Sequence, residues 1–354
     1  CKRIDAREII KTNSNFGNAS VNFQTTNNNI KELLNQATGN LFIVPGFVAS
    51  DSKNITTTLG RGGSDYTAAI FAAAADATSL EIWSDVSGMM TADPRWVANA
   101  KIISSISYQE AMELSHFGAK VIYPPTIQPV LNKNIPIWIK NTFAKDEHGT
   151  VIKNNTENDG NIVRGISSIN NIALLSLEGS GMVGVPGFSR RLFESLSNAS
   201  INVILITQGS SEHSICVGIE ALNNEKAKQV IDLAFSGEIA MGRVEPLIVE
   251  KDLSIVALVG DHMKSHPGIS GKMFGALGKN GVNVRAIAQG SSERNISAVI
   301  NTADVRKAIN VLHEEFFETS YKQINIFIAG TGNVGSKLLR QLRQQQLFLR
   351  DHLR

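Results

Sequence analysis

The chain has 354 residues, 34 of them basic and 32 acidic, and 42% of the residues are hydrophobic. That length allows two or three domains, each able to bury a core, and the balanced charge makes no electrostatic case for a nucleic-acid or membrane partner. The two cysteines, Cys1 and Cys216, cannot build a disulfide framework and suit a reducing, cytoplasmic setting. No apolar run reaches spanning length and no signal peptide is recognisable. The sequence starts at Cys1 rather than Met and stops shortly after a helical pattern, so it is expected to be an internal fragment of something longer.

Residues 5–10 precede an Asn-rich polar run expected to be loop as far as Asn29, with a short helix over 30–37. Residues 41–44, stopped by Pro45-Gly46, are predicted as a short, buried parallel strand. Gly60, Gly62 and Gly63 then lead into an Ala-rich stretch over 66–77. A glycine loop opening a helix presents free N–H groups and a positive dipole end to an anion. Here Ser64 is the expected cap, Arg61 a candidate bidentate partner for a carboxylate or phosphate, and Asp65 an orienting carboxylate. A tight, capped turn is the plain alternative.

Residues 80–83 form the next strand, followed by Ser84-Asp85-Val86-Ser87-Gly88 and Thr91-Ala92-Asp93-Pro94-Arg95. Hydroxyl and acidic groups past a strand's carboxyl end occupy the usual ligand position in open α/β sheets, although turn chemistry also explains them. Ser107-Tyr108-Gln109-Glu110 is a capping box. Its helix turns Ala111, Leu114 and Ser115 inward and ends at Gly118 as C′. His116 has no second metal ligand at a suitable spacing and reads as a surface residue. Lys120 follows, able to reach a nucleotide or simply solvated. Residues 135–139 are a strand that Pro136 places at a sheet edge, and 144–161 is a polar linker.

Residues 201–212 return as 282–293, an offset of 81 residues (208 to 289) that aligns Gln208 with Gln289. A fixed period marks two copies of one supersecondary unit. Each copy reads strand (172–177; 253–259), helix (187–198; 268–280), strand (201–206; 282–288), strand (214–219; 295–300), helix (224–235; 303–316) and a late strand (244–249; 323–328). This βαββαβ order is ferredoxin-like, an antiparallel sheet with helices on one face. The unassigned segment 162–167 leaves room for a late strand to be exchanged between copies. Polar loops at 179–187 and 260–268 precede each first helix, whose N-terminus suits the carboxylate of a free amino acid. Gln208 and Gln289 follow buried strands and can donate to and accept from a small polar ligand, or merely make the Gln-Gly-Ser-Ser turn.

Residues 324–329 are an apolar strand, followed by Gly330-Thr331-Gly332-Asn333-Val334-Gly335 and a helix over 336–348 with Leu338, Leu339 and Leu342 on one side. Strand, glycine fingerprint and helix stand in dinucleotide-binding order. Gly330, Gly332, Asn333, Val334 and Gly335 are the candidate cofactor contacts, and the residue that chooses NAD or NADP lies past Arg354.

Segments 59–65, 83–95 and 108–121 together resemble the C-terminal half of the amino-acid-kinase fold of aspartokinases. The repeat resembles paired ACT domains, and the fingerprint after it resembles the start of homoserine dehydrogenase. In that order the whole chain is similar to the central part of bifunctional aspartokinase/homoserine dehydrogenases. The resemblance implies a fold that is α/β and α+β. It comprises a partial amino-acid-kinase α/β sandwich (1–150), two ferredoxin-like βαββαβ ACT domains (160–250 and 251–320) and the first βα unit of a Rossmann fold (323–354). It implies phosphorylation of L-aspartate by Mg-ATP, with Arg61, Ser64 and Asp65 at the substrate and reacting centre and Ser84, Asp85, Arg95 and Lys120 at the nucleotide. It further implies reduction of aspartate semialdehyde with NADP or NAD, and threonine as allosteric effector at Gln208 and Gln289, beside Ile206 and Ile287. A homo-oligomer through the ACT domains is implied as well. Ser87 stands where the family usually has Asp, Met90 where Tyr is common, and Pro125 where Arg is common. The family's N-terminal K-F-G-G-[ST]-S motif, with its phosphate-binding lysine, is absent, so the fragment alone is expected not to turn over. The reading from another class is a non-catalytic ACT-type amino-acid-binding regulatory module. A monofunctional aspartokinase is disfavoured by the fingerprint at 330–335.

Overall fold

The computed structural model describes residues 1–318 apart from 37–38, 40, 120, 155, 157–160, 210–212 and 291–293, and beyond them 328–330, 332–345 and 348. The N-terminal part opens with β1 (Lys2–Arg3), α1 (Ala6–Ile9) and α2 (Phe23–Asn35). The Asn-rich run is loop as far as Asn22, but its remaining residues 23–29, also expected to be loop, form the first turns of α2. Asn22 caps this helix by accepting from Thr25 N–H at 3.2 Å, Thr26 and Ile30 are buried one turn apart, and Asn29 Nδ2 donates to Ile9 O at 2.9 Å. Asparagine disfavours a helix only modestly, and the cap and tertiary contacts outweigh it. β2 (Phe42–Ile43) pairs parallel with β1 as expected, but Leu41 and Ile43 are 62% and 58% exposed, so the expected burial of that run is not found.

The hairpin β3 (Val48–Ser50) and β4 (Thr56–Thr58) leads to α3 (Gly63–Ala74), which is covered from two sides. Ile70 and Ala74 meet Ile10, Ile30 and Leu59, while Ala69 and Ala72 join the main core. Alanine, the best helix former with a minimal side chain, permits both approaches. Next come β5 (Leu80–Ser84), β6 (Ser105–Ile106), α4 (Tyr108–His116), α5 (Pro124–Leu131), β7 (Ile137–Asn141) and β8 (Thr150–Ile152), with the sheet ordered β5-β7-β8-β6. β7 is therefore interior, against the edge expectation: Pro136 precedes its ladder, and the Pro136 carbonyl still accepts from Leu80 N–H at 2.9 Å. The expected linker contains β8, buried throughout and paired antiparallel with β7 and parallel with β6. A three-residue strand among polar residues is too short for periodicity to reveal. α4 shows both halves of the capping box, each at 3.0 Å.

β9 (Gly165–Glu178), α6 (Phe188–Asn198), β10 (Val203–Gln208), β11 (Ser214–Glu220), α7 (Asn224–Ala234), α8 (Ser236–Ala240), β12 (Ile248–Val259), α9 (Ile269–Lys279), β13 (Val284–Ala288), β14 (Asn295–Asn301) and α10 (Val305–Phe317) follow. Their strands build one antiparallel sheet, ordered β10-β11-β9-β12-β14-β13. The copies are thus not two separate βαββαβ sheets. β9 and β12 each bend once, at Asn171 (φ 59°) and Asp252 (φ 59°), positions matched by the repeat. The leading end of β9 crosses over: Ile166 to Ile169 pair with the second copy's Leu258 to Ile255, whereas Ile248 to Glu250 pair with the first copy's Ser176 to Leu174. The unassigned segment 162–167 thus joins the second copy, and the late strand at 244–249 stays with its own copy rather than being exchanged. Residues 323–327 of the matching late strand lie outside the described residues.

Side chains alternate across this sheet. Ala173, Leu175 and Leu177 pack with α6 and α7, and Val256 and Leu258 pack with α9 and α10. Ile172, Leu174, Leu253 and Ile255 turn to the opposite face and share a core with α4 and the four-stranded sheet. Polar contacts lock that joint. Glu110, 1% exposed, lies 3.5 Å from Arg164 Nε and accepts from Asp261 N–H at 2.8 Å, while Asn295 Nδ2 donates to Glu113 at 2.9 Å. After α10 comes α11 (Asn333–Gln344), which begins before the expected 336 and has no buried residue. The left-handed bends give a test: Asn171→Ala and Asp252→Ala should each lose about 1 kcal/mol in chemical denaturation, because a plain Cβ is penalised there. The corresponding glycine variants should stay close to wild type.

Candidate functional site

The short connection 75–79 joins α3 to β5, so helix and strand run in opposite directions. The N-terminus of α3 therefore lies at the carboxyl end of β5, the ligand-binding edge of open α/β sheets. Gly62 is the N-cap, at φ 66° and with no side-chain cap hydrogen bond. A Cβ there would stand 2.5 Å from Tyr123 Cβ, so glycine is required both by conformation and by space. Ser64, expected as the cap, is instead the second residue of the helix. Gly63 N–H turns back to Gly60 O at 3.1 Å, and the N–H groups of Ser64 and Asp65 are left for an anion. Arg61 is exposed on the loop and makes no ion pair with a described residue. Asp65 is half-buried, and burial pushes its carboxyl pKa up, against a lowering hydrogen bond from Ser64.

At the end of β5, Ser84 O accepts from Thr142 N–H at 2.8 Å and Ser84 Oγ accepts from Val86 N–H at 3.3 Å. Asp85 is exposed beside it. Ser87 Oγ accepts from Asn141 Nδ2 at 2.9 Å, which ties this departure from the family pattern to the sheet. Fold topology thus brings Arg61, Ser64, Asp65, Ser84 and Asp85 to one edge. Arg95 sits on the loop 91–97 with its side chain 81% exposed. Its Nε donates to Asp93 at 3.0 Å, and this bonding holds the Asp93 carboxyl below the usual range. Lys120 lies outside the described residues. The loop's walls escaped the sequence reading: Asn18 stands against Gly60, Phe47 against Gly63 and Tyr123 against Gly62. They arrive from distant segments, and no local pattern marks them.

The repeat offers a second site. A cavity of about 320 Å³ lies at the start of α6, lined by Met182, Val185, Phe188, Ser189, Gln208 and Ile215 together with the glycines and proline of that loop. No charged side chain is among the described residues that line it. α6 and α9 both begin at left-handed glycines with no side-chain cap, so both helix ends are open to a carboxylate. In the second copy Ser270, the counterpart of Ser189, donates to Gln289 Oε1 at 3.1 Å. Ile206 and Ile287 are 54% and 44% exposed, and Ile206 is not part of the lining. In the C-terminal fingerprint a Cβ on Gly335 would collide with Gly330 O, the close approach that the third glycine serves. Val334 is 84% exposed, and Thr331 with the preceding strand through residue 327 lies outside the described residues.

Residues 2–141 match the Amino acid kinase family, and 175–235 and 256–316 each match an ACT domain. Over 317 residues the chain is 35% identical to the lysine-sensitive aspartokinase 3 of Escherichia coli (strain K12), covering 89% of this chain and 69% of that protein. The chain belongs to the aspartokinase family. Among crystal structures, E. coli aspartokinase III in complex with aspartate and ADP superposes with a TM-score of 0.74 at 34% identity, covering 89% of this chain and 70% of that one. The Clostridium acetobutylicum aspartate kinase gives 0.78 at 33% identity, over 88% and 70%. The chain is also 43% identical over 315 residues to the bifunctional aspartokinase/homoserine dehydrogenase of Haemophilus influenzae, covering 89% of this chain but 38% of that protein. It spans about two fifths of the length of the bifunctional relatives it matches.

Within the aspartokinase fold, Asp65 ionises against its surroundings. Asp65→Asn is expected to raise the thermal midpoint at neutral pH. The carboxyl's folded pKa lies above its ordinary 3.8, so the advantage of the amide should shrink as pH falls through the folded pKa. Calorimetric scans of both proteins across that range would check it.

Proposed function

We propose that the N-terminal part carries substrate and nucleotide groups of an aspartate kinase. The observation that carries this reading is the uncapped N-terminus of α3, with exposed Arg61 and half-buried Asp65, at the same edge as Ser84 and Asp85. Arg61 would hold a carboxylate of L-aspartate in a bidentate pair, and Ser64 and Asp65 would orient the reacting groups. Ser84, Asp85, Arg95 and Lys120 would contact ATP, and Mg²⁺ would come with the nucleotide, bound mainly by phosphate oxygens. A side-chain oxygen of aspartate attacks the γ-phosphorus and the bond to the bridging oxygen breaks, giving 4-phosphoaspartate and ADP. The protein's work is alignment and neutralisation of charge.

The paired repeat would sense a free amino acid. Its carboxylate would cap α6 or α9, and Gln208 or Gln289 would hydrogen-bond the remaining polar groups. Ser189 and Gln208 among apolar groups of the cavity suit a neutral polar side chain such as threonine's. The glycine spacing at 330–335 supports the start of a homoserine dehydrogenase domain, to which the fingerprint would bring the pyrophosphate of NADP or NAD. Exposed Ile206 and Ile287 on edge strands favour assembly with a second copy through the repeats. Cys1 and Cys216 are free thiols, in keeping with a cytoplasmic setting, and no helix among the described residues is long and apolar enough to cross a membrane.

In the full-length protein, Arg61→Ala and Asp65→Asn should each lower kinase turnover by about a hundredfold or more. Threonine should bind saturably in calorimetry, more weakly after Gln208→Ala or Gln289→Ala. Undiminished turnover in the first pair would remove the kinase assignment of this edge, and saturable binding of lysine instead would remove the threonine reading.

A further inference from the structure

We propose that His313, on α10 of the second repeat, is a positioning residue for the loop 91–97, so that the second repeat and not the first sets the affinity for nucleotide. The inference rests on the assignment of Arg95 to the nucleotide.

The loop is anchored at both feet in the second repeat. Ala92 and Val97 are 3% exposed and belong to the core formed by Val256, Met273, Ile309 and Leu312. Between them Asp93 grips Arg95, placing the guanidinium at the tip. Thr91 fixes the first foot. Its N–H donates to Lys101 O at 2.9 Å, its carbonyl accepts from Ile166 N–H at 2.8 Å, and its Oγ1 accepts from Lys101 N–H at 3.0 Å. The remaining hydrogen bond of that hydroxyl, at 2.9 Å, joins it to His313 Nε2. At the second foot Asn310, one turn before His313, donates through Nδ2 to Trp96 O at 2.9 Å, and Asn99 Nδ2 donates to Glu318 at 3.2 Å. Asn310 and His313, one turn apart on α10, therefore hold the two feet of the loop.

His313 is 1% exposed. Burial pushes its pKa down, with Glu318 raising it and Lys101 lowering it. Its Nδ1 has no partner, so in either neutral tautomer the ring makes the single bond to Thr91, and protonation would bury an unpaired N–H. The helix-side core of the first repeat contains no described residue before Ala173. The position matching His313 in the first repeat is Asp232, whose carboxylate accepts from Leu247 N–H at 2.8 Å within its own copy. The two copies share a fold, and among the described residues the side-chain hydrogen bonds to the loop come from α10 of the second.

Steady-state kinetics on the full-length protein test this. His313→Gln, Thr91→Val and Asn310→Ala should each raise KM for ATP by about two- to tenfold, the effect of one buried hydrogen bond. KM for aspartate and kcat should stay within about twofold, and Asp232→Asn should leave KM for ATP unchanged. Thr91→Val and the more exposed Asn310→Ala keep the test available if His313→Gln fails to fold. Arg95→Ala separates the two failures. An unchanged KM for ATP in that variant removes the nucleotide assignment and this proposal with it. A raised KM in Arg95→Ala beside unchanged values in the α10 and Thr91 variants, or an equal rise in Asp232→Asn, overturns the proposal alone.

Discussion

The antiparallel pairing of β9 with β12 is the constraint on which the rest of this chain depends. These two strands are the centre of the regulatory sheet, and the leading end of β9 pairs with the second copy. The second copy's part of the sheet therefore includes residues that precede the first copy in the chain. One face of the pair carries the helices of both copies and the other closes the core of the four-stranded sheet through Ile172, Leu174, Leu253 and Ile255. A displacement of one strand against the other would therefore be felt in three cores at once. Close-packed interiors transmit such shifts rather than absorb them.

Polar groups determine how the N-terminal part sits on that pair. Glu110 serves first as half of a capping box and then as acceptor for Asp261 N–H, with Glu110 and Arg164 themselves buried. Such a cluster adds less to net stability than an apolar contact of the same size, but it fixes orientation, because every buried donor must find its acceptor. Asp261 opens the loop that precedes α9. The end of the kinase-like core and the candidate effector loop of the second copy thus share one carboxylate.

The glycine loop and the effector loops follow one physical design. In each, a glycine in left-handed conformation starts a helix without a side-chain cap. A serine or aspartate at the cap would have satisfied those N–H groups and gained stability. Leaving them open keeps a position for a ligand's own oxygens. Asp65 repeats the principle: its burial opposes ionisation, a local conflict of the sort that marks working sites.

The sequence by itself determined the repeat and its period, the order of the kinase-like part and the two repeats, the capping box at Ser107, the glycine loop with Arg61 and Asp65, and the alignment of Gln208 with Gln289. These features are encoded in residues close together in the chain or in identity at a fixed offset, so pattern and turn chemistry reveal them. The tertiary structure decided what local pattern cannot hold. Residues 23–29 became helix because Ile30 and Thr26 found a core, and β8 became strand because β6 and β7 lay on either side of it. The crossing of the leading end of β9, the walls of the glycine loop, and the hydrogen bond between His313 and Thr91, 222 residues apart in the chain, were also set there. Each depends on which distant segment comes alongside, and that is fixed by the joint burial of whole faces rather than by any window of sequence.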